Sequence, residues 1–204
     1  KNTPGVHDLY ITDRRDLHSD GFIYPLEQTI KELKPVLLFQ DYINSVQAYE
    51  GPVTENTTNR DGYVVADEDE YINLNMWRRK AYSDNWTVLL SKMFGVPIIG
   101  EAWVRLPEHF IEYEPKLLHR SAYEARHGNW EGVDASNGFE IGNEFKALKA
   151  LFVRIKYCRQ FIGEQSLPLA IAHALDVPRI AVLNPVDCKA YIGEENIFKN
   201  FRYV

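Results

Sequence analysis

Two cysteines in 204 residues, Cys158 and Cys188, are too few for a disulfide framework and stand at no metal-binding spacing. A reducing, cytoplasmic setting is the simplest expectation. Cations are scarce as well: 23 Lys and Arg face 29 Asp and Glu, a formal net charge of -6. Nonspecific nucleic-acid binding draws on a clustered positive surplus, so no nucleic-acid partner is expected. Long apolar runs are missing too. Residues 167–172 form one of the longest, far short of the roughly 20 residues that cross a bilayer, and no basic-then-apolar leader opens the sequence. No transmembrane segment is expected. What the chain does have is 45% apolar and 25% charged side chains, enough to build a core as one large domain or two small ones.

The segment HDLYIT, residues 7–12, reads as a short strand, and 25–40 reads as a helix with Leu26, Ile30, Leu33, Val36 and Leu37 on one stripe. Pro25 suits its first turn, whereas Pro35 lacks an N–H and is expected to kink or split it. Strands are expected over 45–51 and 62–66, flanking a polar loop at 52–60, and a helix over 76–94 closed by Gly95. The Gly- and Pro-containing run GVPIIGEAWVRLPEH then suggests a boundary near 105, dividing 1–105 from 106–204.

In the second part, 116–121 reads as a strand and 123–143, rich in Gly, Asn and Asp, as a loop. Residues 143–157 read as a helix with Phe145, Leu148, Leu151, Phe152 and Ile155 along one face. The strand RQFIG, a helix over 166–175 and the strand RIAVLNP follow. This β-α-β alternation calls for an α/β fold with a parallel sheet and right-handed crossovers.

Ligands of open α/β sheets gather where strands end and helices begin. Gly163 stands at such a place, where a glycine permits close approach, and Ser166 suits the cap of the next helix. That helix has almost no polar face except His173, so it must be covered on more than one side. Its free N–H groups would open into a crevice and form a seat for an anion. The plainer meaning is a Gly-Ser turn that holds nothing, as in many α/β proteins.

FIGEQSLPLAIAHALDVPRIAVLNP, residues 161–185, resembles the signature region of the ADP-heptose:lipopolysaccharide heptosyltransferases, above all the FIGNQS version of their bacterial and phage relatives. Glu164 stands for Asn, and Asp176 for the usual Gly. LLFQDYINSVQAYEG and DEYINLNMWRR are similar to the family's first-half segments, and LLHRSAYEARHGNW to the NRS-x-RY…W strand opening its second half. The resemblance implies a GT-B fold of two Rossmann-like halves, with the acceptor on 1–105 and the nucleotide-sugar on 106–204. The implied activity is metal-independent transfer of a sugar from a nucleotide-sugar to a hydroxyl of a carbohydrate or lipid-linked acceptor, with no further cofactor. Gly163, Glu164, Gln165, Ser166 and Leu167 would surround the diphosphate, held by Ser166 and by the backbone at Gln165 and Leu167. Arg120 and Ser121 would face them, Arg120 neutralising the leaving nucleotide. An acid of the first half would act as base, and Asp13 is the candidate by position. Two departures stand out: Ala170 replaces a histidine, and the loop between Trp130 and Asn143 replaces a βα unit, so the second half is shortened. A catalytically silent nucleotide- or sugar-binding relative, including a phage or surface protein, is the alternative.

Other patterns compete. Asp67-Glu68-Asp69 has the form of a D-x-D metal site, although acidic loops of this kind are commonly only solvated. Ser166 opens a helix after a strand, as a hydrolase nucleophile does, but lacks the flanking glycines. The histidines show no zinc spacing. Trp130 sits in the polar loop beside the expected cleft, where it can stack on a sugar or serve as a core anchor.

Overall fold

The computed structural model describes residues 6–11, 25–49, 63–65, 70–72, 85, 87–88, 91–92, 97–98, 100–108, 115–143 and 147–204. Among these, β1 (His7–Ile11) and β2 (Ile43–Ala48) pair in parallel, with α1 (Leu26–Leu37) between them in the chain. A short antiparallel pair follows, β3 (Tyr63–Val65) with β4 (Glu70–Ile72). The largest sheet has five strands: β5 (Lys116–His119), β6 (Gly138–Ile141), β7 (Gln160–Gly163), β8 (Arg179–Ala181) and β9 (Phe201–Tyr203). They are all parallel and lie in the order β6-β5-β7-β8-β9. Helices α2 (Leu148–Lys156), α3 (Leu167–Ala174), α4 (Cys188–Tyr191) and α5 (Glu194–Ile197) connect its later strands. The protein is therefore mixed α/β with parallel sheets. No helix among the described residues is long and apolar enough to cross a membrane.

Strands buried on both faces carry continuous apolar runs, and here Phe161 and Ile162 are adjacent and both buried. Leu148, Leu151, Phe152 and Ile155 turn the stripe of α2 into the core beside Leu169, Ile171, Ala172 and Ala174 of α3. The expected covering of α3 on several sides is thus met by the sheet, by α2, and by a strap at residues 103–105. Trp103 and Val104 both donate their N–H to Ala174 O, at 3.0 and 3.1 Å. On its other side the strap is held by the buried Gln40, which donates to Arg105 O at 2.9 Å and accepts from Arg105 N at 2.8 Å. Glu32 of α1 accepts from Leu148 N at 3.1 Å, supplying the cap that Ala147 cannot give to α2.

Several elements differ from the sequence reading. Pro35 lies inside α1 and does not split it; Lys31 and Pro35 are both exposed, so the carbonyl that loses its N–H partner lies on the outer face of the helix. The stretch 123–143 is not all loop: it contains a single 3-10 turn (Glu124–Arg126) and β6. β8 ends at Ala181, well before Pro185, and the short α4, α5 and β9 were not anticipated. The expected helix over 76–94 falls mostly outside the described residues, as do Asp13, the acidic triplet at 67–69, Trp77 and Trp86.

A buried polar cluster ties α3 to β8 and α5. The Arg179 side chain has no exposure, and its Nη1 donates to Asp176 Oδ1 at 3.2 Å and to Val177 O at 3.0 Å. Its Nη2 meets His173 Nδ1 at 3.2 Å, and an arginine can only donate there. Nδ1 is therefore the bare nitrogen of the imidazole, while Nε2 lies 3.6 Å from Glu194 Oε2. Burial, helped by the Arg179 charge, pulls His173 from its ordinary 6.5 down to about 3. Protonation thus favours the unfolded chain: this residue's contribution to stability is complete above pH 6.5 and is lost as pH falls toward 3. Burial raises Glu194, whose contribution has the opposite sign, fading as pH rises, and offsets part of that loss. His173→Gln keeps an acceptor for Arg179 but cannot titrate. Urea midpoints followed from pH 7 to pH 4 should fall less steeply in this variant, the removed slope approaching ~1.4 kcal/mol per pH unit at most. An identical slope in both proteins would show that His173 does not govern the acid limb.

Candidate functional site at the carboxyl edge of the parallel sheet

From β5 the chain crosses to β6 on one side, while β7 continues to β8 on the other, so the loops leaving β5 and β7 diverge. In doubly wound sheets such a point is where a crevice opens at the carboxyl ends of the strands. Arg120 and Ser121 follow β5 here; Gly163 ends β7, and Glu164, Gln165, Ser166 and Leu167 lead into α3. These sequence-selected residues are therefore neighbours in the fold: β5 and β7 pair directly, with His119 opposite Gly163.

Gly163 is explained by packing rather than by an unusual backbone angle. A Cβ there would come within 2.8 Å of the Phe161 ring and 3.1 Å of His119 O.

Glu164 points inward. Its side chain is 1% exposed, and its carboxylate accepts from Ser121 N at 2.7 Å, from the Trp130 indole at 2.7 Å and from Gly128 N at 3.2 Å. His127 Nε2 lies 4.0 Å away and donates to Ser121 O at 2.9 Å. Glu164 is thus the anion that organises the loop after β5 around the end of β7. Gly128 lets that loop lie on the end of β8, since a Cβ there would stand 2.6 Å from the Val182 carbonyl group. Asn143 fastens the start of the loop, accepting from Ala122 N and donating to Arg120 O, both at 3.1 Å.

Ser166 Oγ lies 2.9 Å from Glu164 O and 3.1 Å from His119 Nδ1. The hydroxyl has one proton, which goes to the carbonyl, so the imidazole is the donor to Oγ. That direction is the reverse of what a serine nucleophile needs, so the arrangement lends the hydrolase alternative no support. Burial holds His119 below its ordinary range, against the raising influence of Asn143 and Glu164. Ser166 has extended backbone and its side chain makes no cap bond to α3, while Pro168 contributes no N–H to the first turn. Leu167, the first residue of α3, is 45% exposed.

The two arginines of this edge differ. Arg120 lies over the Trp130 ring at 4.3 Å and approaches Glu140 on the edge strand β6 at 3.8 Å. Trp130 therefore has its N–H on Glu164 and a ring face under Arg120. Arg126 bridges the loops instead: its Nη1 donates to Gln165 Oε1 at 2.5 Å and also to Asp187 Oδ1. Asn184 supports this bridge, donating to Ala125 O at 2.6 Å and accepting from Val186 N and Asp187 N at 2.9 and 2.7 Å. Burial raises Asp187, opposed by the Arg126 charge and by the bonds from Arg126 and Asn184. Sequence reasoning missed Arg126, Gly128, His119 and Asp187 as participants; Arg126 in particular sits in a stretch without periodicity.

No known protein family, curated protein or solved structure matches the chain.

Proposed function

We propose that the chain binds a nucleotide-sugar with its diphosphate at the mouth of the β5/β7 crevice and transfers the sugar to a hydroxyl acceptor without a metal. The observation that carries the reading is the uncapped start of α3 with Arg126 bonded to Gln165 just before it, at the point where the parallel strand order reverses. Helix N-termini and arginine forks are the ordinary means of holding phosphates. In this arrangement the Leu167 N–H is the phosphate contact, while the Ser166 hydroxyl braces the turn. The GT-B division into acceptor and donor halves belongs to the same proposal, with Asp13 as the proposed base.

Binding without transfer is the second reading: Glu164, the acid beside the proposed diphosphate, is buried and committed to three N–H donors, so transfer rests wholly on a base from the first half. Thermal-shift and calorimetric titration with ADP-, GDP- and UDP-sugars tests both. One of the three should stabilise the protein by about 2.7 kcal/mol at a hundredfold excess over Kd. Ser166→Trp, which fills the mouth of the crevice, should abolish that stabilisation and leave the unliganded protein folded. Release of nucleoside diphosphate in the presence of an acceptor sugar separates transfer from binding alone. If none of the three sugars stabilises the wild-type protein, the reading fails.

A further inference from the structure

We infer that Asn137 is a site of spontaneous modification: the Asn137-Gly138 pair at the entrance of β6 closes to a succinimide and reopens as aspartate and isoaspartate, with water as the only co-reactant. The inference does not depend on the nucleotide reading.

The step is intramolecular. The backbone nitrogen of Gly138, having lost its proton to hydroxide, attacks Asn137 Cγ; the new C–N bond closes a five-membered ring, and the side-chain NH2 departs, with a proton, as ammonia. Water then adds to either ring carbonyl and breaks one of the two C–N bonds. One product is aspartate, and the other is an isoaspartate whose main chain runs through Cγ and is longer by one carbon. A side chain on the following residue hinders the attack, so Asn-Gly is the most susceptible pairing, and it occurs once in the sequence.

The fold calls for both members of the pair. Asn137 has φ 56, in the left-handed region, where asparagine is among the few tolerated residues other than glycine. A Cβ on Gly138 would stand 2.6 Å from the Leu118 side chain. The position that needs positive φ is thus followed by one that has no room for a side chain. Asn137 is exposed, so water and hydroxide reach it. The Gly138 N–H is donated to Ala135 O at 3.2 Å, the long end of the ordinary range, so a weak bond restrains the nucleophile. β6 is also an edge strand, paired only with β5 among the described residues, and edges open at low cost.

The damage reaches the crevice. An extra backbone carbon displaces Gly138 from Lys116, its partner in β5, and adds a carboxylate to a turn in which Asp134 already occupies Lys116. Asn143, two residues beyond β6, fastens the loop after β5 through Ala122 N and Arg120 O. Modified chains should therefore lose order in β6 and loosen that loop.

The experiment ages the full chain at pH 6, 7 and 8, followed by peptide mapping by mass spectrometry with separation of aspartate from isoaspartate. The peptide holding Asn137 should exchange NH2 for OH at a rate that rises ~10-fold per pH unit, because the attacking species is an anion far below its pKa. Asn196 and Asn200 are exposed but precede Ile197 and Phe201, and they should stay intact over the same time. The folded chain should react no more than ~10-fold slower than the chain in urea, the factor that one net hydrogen bond supplies. Asn137→Gly keeps the backbone angle and removes the reacting group. Hydrogen exchange of the β6 amides should quicken in the aged wild type and stay constant in this variant. An Asn137 that survives intact after the urea-unfolded chain has converted overturns the inference, as does conversion no faster than at Asn196 or Asn200. Equal quickening in the aged variant overturns the link to β6.

Discussion

Glu164→Ala should lower the unfolding free energy by about 3 kcal/mol, because it strands the N–H groups of Ser121 and Gly128 and the Trp130 indole in a buried site. Orphaned buried donors each cost about 1–3 kcal/mol, and relaxation of the loop after β5 recovers part of the sum. Glu164→Gln is the informative companion. Its amide fits the space, yet one end now presents N–H groups to N–H groups, so a loss of ~1–2 kcal/mol is expected. Urea unfolding gives the midpoints, and Trp130 supplies a local reporter, since release of its indole from Glu164 exposes the ring. A midpoint for Glu164→Ala within the error of the wild type would show that the carboxylate does not hold the loop. The result also bears on binding, because the same loop carries Arg120 and Arg126.

The second large effect concerns Arg179. Arg179→Leu should cost about 3–5 kcal/mol, the range for removing one partner of a buried charged group. The arginine is wholly buried, satisfies Asp176 and the Val177 carbonyl, lies over Phe198 and Phe201 at 5.4 and 5.3 Å, and is the cation facing Glu194 and His173. Leucine fills much of the volume but leaves the buried Glu194, which Thr87 and Asn85 also hydrogen-bond, without its countercharge. Adding Glu194→Gln should recover part of the loss, and the coupling in a double-mutant cycle should reach about 1–2 kcal/mol. Additive losses would mean that the two residues do not act through one another.

How far these features were legible depends on the distance over which they are determined. Phe161, Ile162 and the Ala-rich α3 declare themselves locally, because a segment buried on several sides must be apolar at consecutive positions. The stripe of α2 is equally local. β6 escaped notice because it is a short edge strand: Ile141 is buried while Phe139 and Glu140 are exposed, so no alternation survives in Gly-Phe-Glu-Ile. α4 and α5 have four residues each, too few to display a helical period. Within the crevice, the turn at 163–166 was found by its position after a strand. The partners of Glu164 lie 43, 36 and 34 residues away in the chain, and nothing in the string FIGEQS announces which amides will meet that carboxylate. The same holds for Arg126, which reaches Asp187 across 61 residues.

The strand order carries a consequence for how the molecule is made. Once β5 and β6 have paired, β7 adds to the open side of β5, β8 to β7, and β9 to β8, each in the order in which it leaves the ribosome. No strand has to be threaded between two that are already joined. From β7 onward the growing edge is the newest strand, so nascent chains paused between β7 and β8 present an open edge for unwanted pairing, and the arrival of β8 covers it.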